Sequence, residues 1–482
     1  MDFHGLMRQY MKRCPNISYA SEACGINRTT LQHYLSGKRI PENEEKVENL
    51  AKAMLLSPEE KKSFFDAYHI ALVGEDVYMR RENISRILTH LRKENNPEEA
   101  QEELTGISYS MLPDTYEATD KKGLVLITSN LLDAAACEGG ELYLFLQPDF
   151  TEFFTILSLV SERSKKLKIR HIFSVKKMAG TRDEKQNLEC LSMVLNISAY
   201  FRNYEPYYYY DYRSDEKTCL SPAPYCVFYR DSFLLISSNY ETGFFSKNEA
   251  QSRFYKSVFS RLKNDCYPAM HRMQDAVSAT EYLNRVFLDK KPLFGIEYDF
   301  CIAPFLRQDV ILRYLNISAF TSDSVLPCIL DYMEKYRRYL ESETGFIDAI
   351  ASLSGFAEFM KTGFPDEIPK TFMKAAIEPE IRVKILRDML KAIRAGNYKI
   401  RFMKKKEVIS KGWSVTSFKN YLMICHNDDF SASFFNDTGL VSAFNDYQLF
   451  LRADPLLMTD EESVAFIEEQ ILLCKKNSGI FS

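Results

Sequence analysis

Arg28, Thr29, Gln32 and His33 fall within six consecutive residues, and Lys38 and Arg39 follow close behind. Side chains of these types meet nucleic acid. Arginine pairs bidentately with guanine, and glutamine with adenine, across the major groove. Lysine and arginine at a helix exit hold phosphates instead, which position a protein without reading sequence. Such contacts need a rigid helix behind them, and the flanking residues supply one. Ala20 and Cys24 stand four apart, as neighbours on one helix face do. Gly25 follows, where a chain turning sharply out of a helix favours positive φ. Asn27 suits the N-cap of a second helix, and Leu31 and Tyr34 give that helix an inward side. Ala20, Cys24, Ile26, Leu31 and Tyr34 are therefore the expected core positions, with Ser21 small where the two helices approach. Helix, tight turn, capped helix describes a helix-turn-helix.

The stretch Ile17–Pro41, "ISYASEACGINRTTLQHYLSGKRIP", resembles the Cro-type (XRE, lambda-repressor-like) helix-turn-helix family. On that resemblance Gly25 is the turn glycine, and Asn27, Arg28, Thr29, Thr30 and Leu31 open the recognition helix. Ser36, Lys38 and Arg39 in "SGKRIP" match the family's exit past the phosphates, and "VENLAKAMLLSPEE" matches its fourth-helix pattern. The resemblance spans about residues 1–70 and departs at Ile17, where many members carry a glutamine that braces the DNA backbone. It implies double-stranded operator DNA as partner, with Arg28, Thr29, Thr30, Gln32, His33, Ser36, Lys38 and Arg39 as the DNA-binding residues. A homodimer is expected, because one such unit reads only a few base pairs.

Charge agrees locally. The chain as a whole is acidic, with a formal net charge of -4, so nucleic-acid binding must come from a patch. Residues 1–41 hold Arg8, Lys12, Arg13, Arg28, Lys38 and Arg39 against Asp2 and Glu22. Ser57-Pro58-Glu59-Glu60 marks another helix start. A helix over about Asp76–Lys93, with Val77, Ile84, Ile87, Leu88 and Leu91 to one side, is expected as a stalk or dimer seam. Glu94–Gly106, polar and containing Pro97, is the expected linker.

Beyond it, strands alternate with helices, the signature of layered α/β structure. "ELYLFLQ" (Glu141–Gln147) and "KIRHIFSV" read as strands, with helices over Lys121–Cys137 and "FTEFFTILSLVSERSKKL". Tyr225–Met270 can be laid over Trp413–Met458, matching Phe233 to Tyr421, Ile236 to Ile424 and Asn239 to Asn427. A two-residue slip then matches Phe244-Phe245 to Phe434-Phe435. Upstream, "NYEPYYYYDYR" pairs with "GNYKIRFMKK". The expected fold is an all-α helix-turn-helix domain (1–73), a helical stalk and linker (74–120), and two α/β mixed-sheet lobes related by an internal repeat. The lobes are placed at 121–290 and 291–482, the second with a helical insertion near 305–378. In order of elements, though not in any motif, each lobe resembles the C-terminal part of a phospholipase-D-like lobe. That family's catalytic motif is His-x-Lys, and none of the seven histidines has a lysine two places on. On the resemblance, the lobes are catalytically inactive.

Other chemistries find little support. The chain carries no GxxxxGK[ST], HExxH or GxSxG motif and no CxxC among its eleven cysteines. "HNDD" (His426–Asp429) is either a metal-capable cluster or a polar strand exit. "YEPYYYYDYR" (Tyr204–Arg213) is either a stacking platform or a half-buried strand. The basic runs "RSKKLKIR" and "KKKE" are solvated ends or a second DNA surface. No secretory core opens the sequence, no apolar run is long enough to span a membrane, and reduced cysteines suit a cytoplasm. The expectation is a cytoplasmic transcriptional regulator, not an enzyme, with no cofactor and no metal, whose lobes sense a small-molecule or protein effector or hold a dimer. The alternatives are a DNA-targeted two-lobe nuclease or phosphodiesterase, and an antitoxin-like protein-binding module.

Overall fold

The computed structural model describes residues 2–92, 107–164, 166–176, 181–201, 203–211, 224–273, 292–319, 325–404, 407–427, 431–454 and 456–477. The chain divides into two units, Met1–Glu82 and Asn83–Ser482. The first is helical: α1 (Phe3–Met11), α2 (Ile17–Cys24), α3 (Arg28–Leu35), α4 (Glu44–Ala53) and α5 (Pro58–Val73); the division falls within α6 (Glu75–Arg92). Short polar side chains set where these helices begin. Asp2, Asn16, Asn27, Asn43 and Ser57 each accept a backbone N–H that the helix itself leaves unpaired. Ser57 and Glu60 complete a reciprocal capping box with Pro58 at the first helical position. Ala20, Cys24, Ile26, Leu31 and Tyr34 are all buried, as their spacing predicts, in a core shared with Phe3, Met7 and Phe64.

The second unit holds two mixed sheets with helices packed on them, so the expected fold class is the observed one. The first lobe runs β1 (Thr115–Ala118), α7 (Lys121–Glu138), β2 (Gly140–Phe145), α8 (Thr151–Leu159), β3 (Leu167–Lys176), α9 (Thr181–Tyr200), β4 (Tyr204–Asp211), β5 (Tyr225–Tyr229), β6 (Ser232–Ile236), β7 (Gly243–Lys247), α10 (Glu249–Asn264) and β8 (Tyr267–Pro268). The second runs β9 (His271–Met273), β10 (Leu293–Glu297), α11 (Gln308–Ile311), α12 (Val325–Glu341), β11 (Ile347–Ser352), α13 (Leu353–Thr362), α14 (Pro379–Ala395), β12 (Tyr398–Met403), β13 (Trp413–Phe418), β14 (Tyr421–His426), β15 (Ser431–Phe435), α15 (Thr438–Arg452) and α16 (Asp460–Asn477).

The two sheets follow one path. Strand order is β4-β3-β2-β5-β6-β7-β1 in the first and β12-β11-β10-β13-β14-β15-β9 in the second, with β8 added beyond β4. In each, three parallel strands meet an antiparallel meander at the same place. The internal repeat is real, but its register differs from the one expected. The β5–β6 hairpin turns at Arg230 and the β13–β14 hairpin at Lys419, both with φ near +50°. The N-caps Asn248 of α10 and Asp437 of α15 keep the same offset. Ser232 therefore matches Tyr421, and Phe245 matches Phe434, with no slip between them. Aromatic spacing alone does not fix this register, because a one-residue shift exchanges the two faces of a strand.

Further expectations shift as well. β1 lies before residue 121, and β9 pairs antiparallel with β15, so the second sheet draws on residues placed in the first lobe. The stretch 305–378 is not simply a helical insertion: it contains β11, the middle strand of the parallel trio. β11 is buried from end to end, and a strand covered on both faces shows no alternation by which to recognise it. Ile84, Ile87 and Leu88 of α6 are buried with Leu191 and Leu195 of α9 and Phe444 of α15, which rules out a free dimer seam on that side. The expected linker, Glu94–Gly106, lies outside the described residues. Among the described residues no helix is long and apolar enough to cross a membrane.

Candidate nucleic-acid interface

α2 starts on Asn16, whose Oδ1 accepts from Tyr19 N at 2.8 Å, and ends on Gly25 in the left-handed region at φ +65°. A Cβ at Gly25 would meet nothing within 4 Å, so glycine is favoured there by backbone conformation rather than by space. The Ser21 hydroxyl donates to the Ile26 carbonyl at 2.6 Å, and Ile26 N donates back to Ser21 O at 3.1 Å. Ser21 thus clasps the turn as well as staying small. Asn27 Oδ1 takes Thr29 N at 2.9 Å and starts α3.

Tertiary contacts fix α3. Leu31 and Tyr34 are fully buried. His4 Nδ1 bonds the Tyr34 carbonyl at 2.7 Å, Arg8 donates to Leu35 O at 3.0 Å, and the Tyr34 hydroxyl donates to Glu42 at 2.7 Å. Burial, then the Glu42 carboxylate, raise the Tyr34 phenol above its ordinary pKa. Lys46 foremost, with Tyr34, lowers Glu42 to about 2. The helix is therefore held at its inner face and at its C-terminal end, leaving its outer face open.

At about 100° per residue, Arg28, Thr29, Gln32, His33 and Ser36 share one arc of roughly 140°. Arg28, Thr29, Gln32 and Ser36 are exposed and His33 half-buried. The structure therefore gathers five of the eight expected contact residues on one face. Thr30 falls toward the Tyr34 side and is half-buried. The Ser36 hydroxyl donates to His33 O at 3.1 Å, so it finishes the helix. Lys38 and Arg39 are exposed, and their backbone amides close onto His33 O at 3.0 and 3.3 Å. That closure carries both side chains off the helix end.

Two of the six basic residues counted in the first 41 have structural duties. Arg13 grips Glu60 through both carboxylate oxygens at 2.6 and 2.8 Å, holding Glu60 at about 2, and Arg8 bonds the end of α3 as described. Neither partner was visible from local spacing. Tyr19, by contrast, was overlooked. It is 53% exposed near the start of α2, two residues after Ile17.

The lobes answer the remaining candidates. His426 packs its ring on Trp413 at 4.6 Å, while Asp428 and Asp429 lie outside the described residues. No group of three or more His, Cys, Asp or Glu among the described residues is placed to hold a metal. Tyr209 stacks on Phe145 and Tyr208 packs on Tyr267, which is the half-buried strand version of the tyrosine run. In "RSKKLKIR", Arg163 pairs with Asp133, and Lys168 and Arg170 both pair with Glu205. Of "KKKE", Lys404 pairs with Glu462 and the next two lysines lie outside the described residues. In the second lobe, Glu297 accepts from Cys301 N and Glu367 from Ile302 N, each near 3 Å. Burial first, then Glu367, raises Glu297 to about 8, and burial raises Glu367 to about 7.

No family model matches the chain, and no curated protein does. Among solved structures it is similar to TrmBL2, an archaeal chromatin protein described as showing a novel mode of DNA binding. That likeness has 11% identity over 50% of this chain and 81% of that one, with a TM-score of 0.23. It is also similar to polyphosphate kinase from Porphyromonas gingivalis, with 11% identity over 74% of this chain and 55% of the kinase, at a TM-score of 0.22. Likenesses this distant carry no conclusion about fold or activity.

Proposed function

We propose that the chain is a cytoplasmic DNA-binding regulator of transcription rather than an enzyme. Its first unit is a Cro-type helix-turn-helix that reads operator DNA with α3. The observation that carries this is the outer face of α3, where Arg28, Thr29 and Gln32 stand exposed on a helix anchored by buried Leu31 and Tyr34. Arg28 and Gln32, four apart, would meet successive base edges, while Lys38 and Arg39 would hold the adjoining phosphates. A homodimer would read two half-sites. An effector, small molecule or protein, bound at the lobes would change affinity by favouring one spacing of the two heads.

Fluorescence anisotropy with duplex from the flanks of the protein's own gene, against a scrambled duplex, tests this across a salt series. Specific binding that weakens steeply with salt is expected. Arg28→Ala/Gln32→Ala should reduce it at least about tenfold, since each bidentate base contact is worth about 1–3 kcal/mol. Equal, weak binding to both duplexes overturns the proposal and favours an antitoxin-like protein-binding module. Divalent-dependent cleavage of the duplex would favour the nuclease alternative.

A further inference from the structure

The repeat shows what is missing from the first lobe. Along the outer side of α10, Phe254, Val258 and Leu262 follow one another at intervals of four, so they form one stripe. Phe254 is 62% exposed and Leu262 41%. Beside them Phe244 of β7, also 41% exposed, lines a groove of about 460 Å³ with Phe233, Leu235 and Tyr255. In the second lobe the matching positions on α15 are Ala443, Tyr447 and Leu451, and all three are buried. They lie in one cluster with Ile84, Ile87 and Leu88 of α6 and Leu191 and Leu195 of α9. The same stripe on the same element is thus covered by amphipathic helices in one lobe and left bare in the other.

Charge selects the helix that fits. α10 carries Arg253, Lys256, Arg261 and Lys263 against Glu249, which pairs with Arg253, so two α10 helices packed together would set like charges side by side. α16 has the opposite net charge, with Asp460, Glu461, Glu462, Glu468 and Glu469 against Lys475 and Lys476. Its inner side buries Ser463, Ile467 and Ile471. Its outer side presents Leu472 and Leu473, 56% and 42% exposed, with Glu461 and Glu469 also exposed. On the same helix Glu462 and Glu468 are paired to Lys404 and Arg394.

We infer that the bare groove on α10 is a docking site for α16 of a second copy of this chain. Leu472 and Leu473 enter the groove along Phe254 and Phe244, and the acidic border of α16 lies over Arg253 and Arg261. A single helix-on-helix contact is small for a stable interface. A two-fold dimer makes this one twice, α10 to α16 and α16 to α10, and closes on itself. The inference does not depend on DNA binding by the first unit, because the mass of the protein alone in solution reports it.

Sedimentation velocity on the full chain, without DNA, at about 1–50 µM and at low and high salt is the test. The wild type should be a dimer that weakens as salt rises. Phe254→Glu and Leu472→Glu, both at exposed positions, should each give a monomer whose far-UV circular dichroism matches the wild type. A separate charge reversal, Glu469→Arg, should weaken the dimer and move its salt dependence toward zero. A wild type that stays monomeric at the highest concentration overturns the inference, as does a dimer indifferent to Phe254→Glu. Loss of the dimer in Phe254→Glu with full retention in Leu472→Glu also overturns it, and assigns the groove to self-pairing of α10.

Discussion

At the scale of single residues, the burial of Glu297 and Glu367 has a measurable consequence. Their carboxyls titrate in the fold at about 8 and about 7, against 4.5 for the ordinary group. Both stay protonated in the folded lobe where the unfolded chain has already lost those protons. Their contribution therefore favours folding most below about pH 4.5 and is lost as pH rises toward about 8. The melting temperature of the second lobe should fall between about pH 5 and pH 8. Glu297→Gln should flatten that fall and raise the melting temperature at pH 8, read by calorimetry; an unchanged slope would refute the assignment. Gly25 offers a second check. With open space around it, Gly25→Ala should cost only the backbone term, about 1–2 kcal/mol. Faster hydrogen exchange at the α2–α3 turn, with α4 unaffected, would report it. Gly25 and Asn27 were legible in the sequence because their roles are local. The duties of Arg8 and Arg13 were not, because their partners Leu35 and Glu60 lie far along the chain.

Elements were legible in proportion to how one-sided they are. α3 and α5 announce themselves by a cap, a polar face and an apolar face. Ser57→Ala, which breaks the capping box, should lower the stability of the first unit by about 1 kcal/mol, read as earlier loss of helical signal in urea. β11 hides because Ile347–Ser352 is buried on both sides, and Asp348 within it meets partners distant in sequence. Arg452 of α15 forms an ion pair with it, and Gln448 donates to its carbonyl at 2.9 Å. The repeat is legible in the order of elements but not in its register, because β5, "YCVFY", is apolar along its length and gives no alternation to align on. Turn positions with positive φ, Arg230 and Lys419, carry the register, and neither residue type signals that conformation.

At the scale of the whole molecule, each unit has a core of its own, built around Leu31 and Phe64 in the first and around the two sheets in the second. Substitution in one core should therefore leave the other's unfolding in place. Leu50→Ala, at a fully buried position, should destabilise the first unit by about 2–5 kcal/mol. Calorimetry should then show one transition moved and the sheet-bearing transition unmoved; a joint shift would show that the units unfold together. The edge of the second sheet has a further consequence, in the order of synthesis. β9 leaves the ribosome before any other strand of its sheet, yet it pairs with β15, His271 opposite Phe434. The first sheet has the same arrangement, with β1 waiting for β7. A nascent chain thus holds each edge strand unpaired until the meander that receives it has been made, and such distant pairings form slowly. Each lobe is closed by its oldest residues, and a chain cut short before β15 carries a second sheet that its own first strand cannot complete.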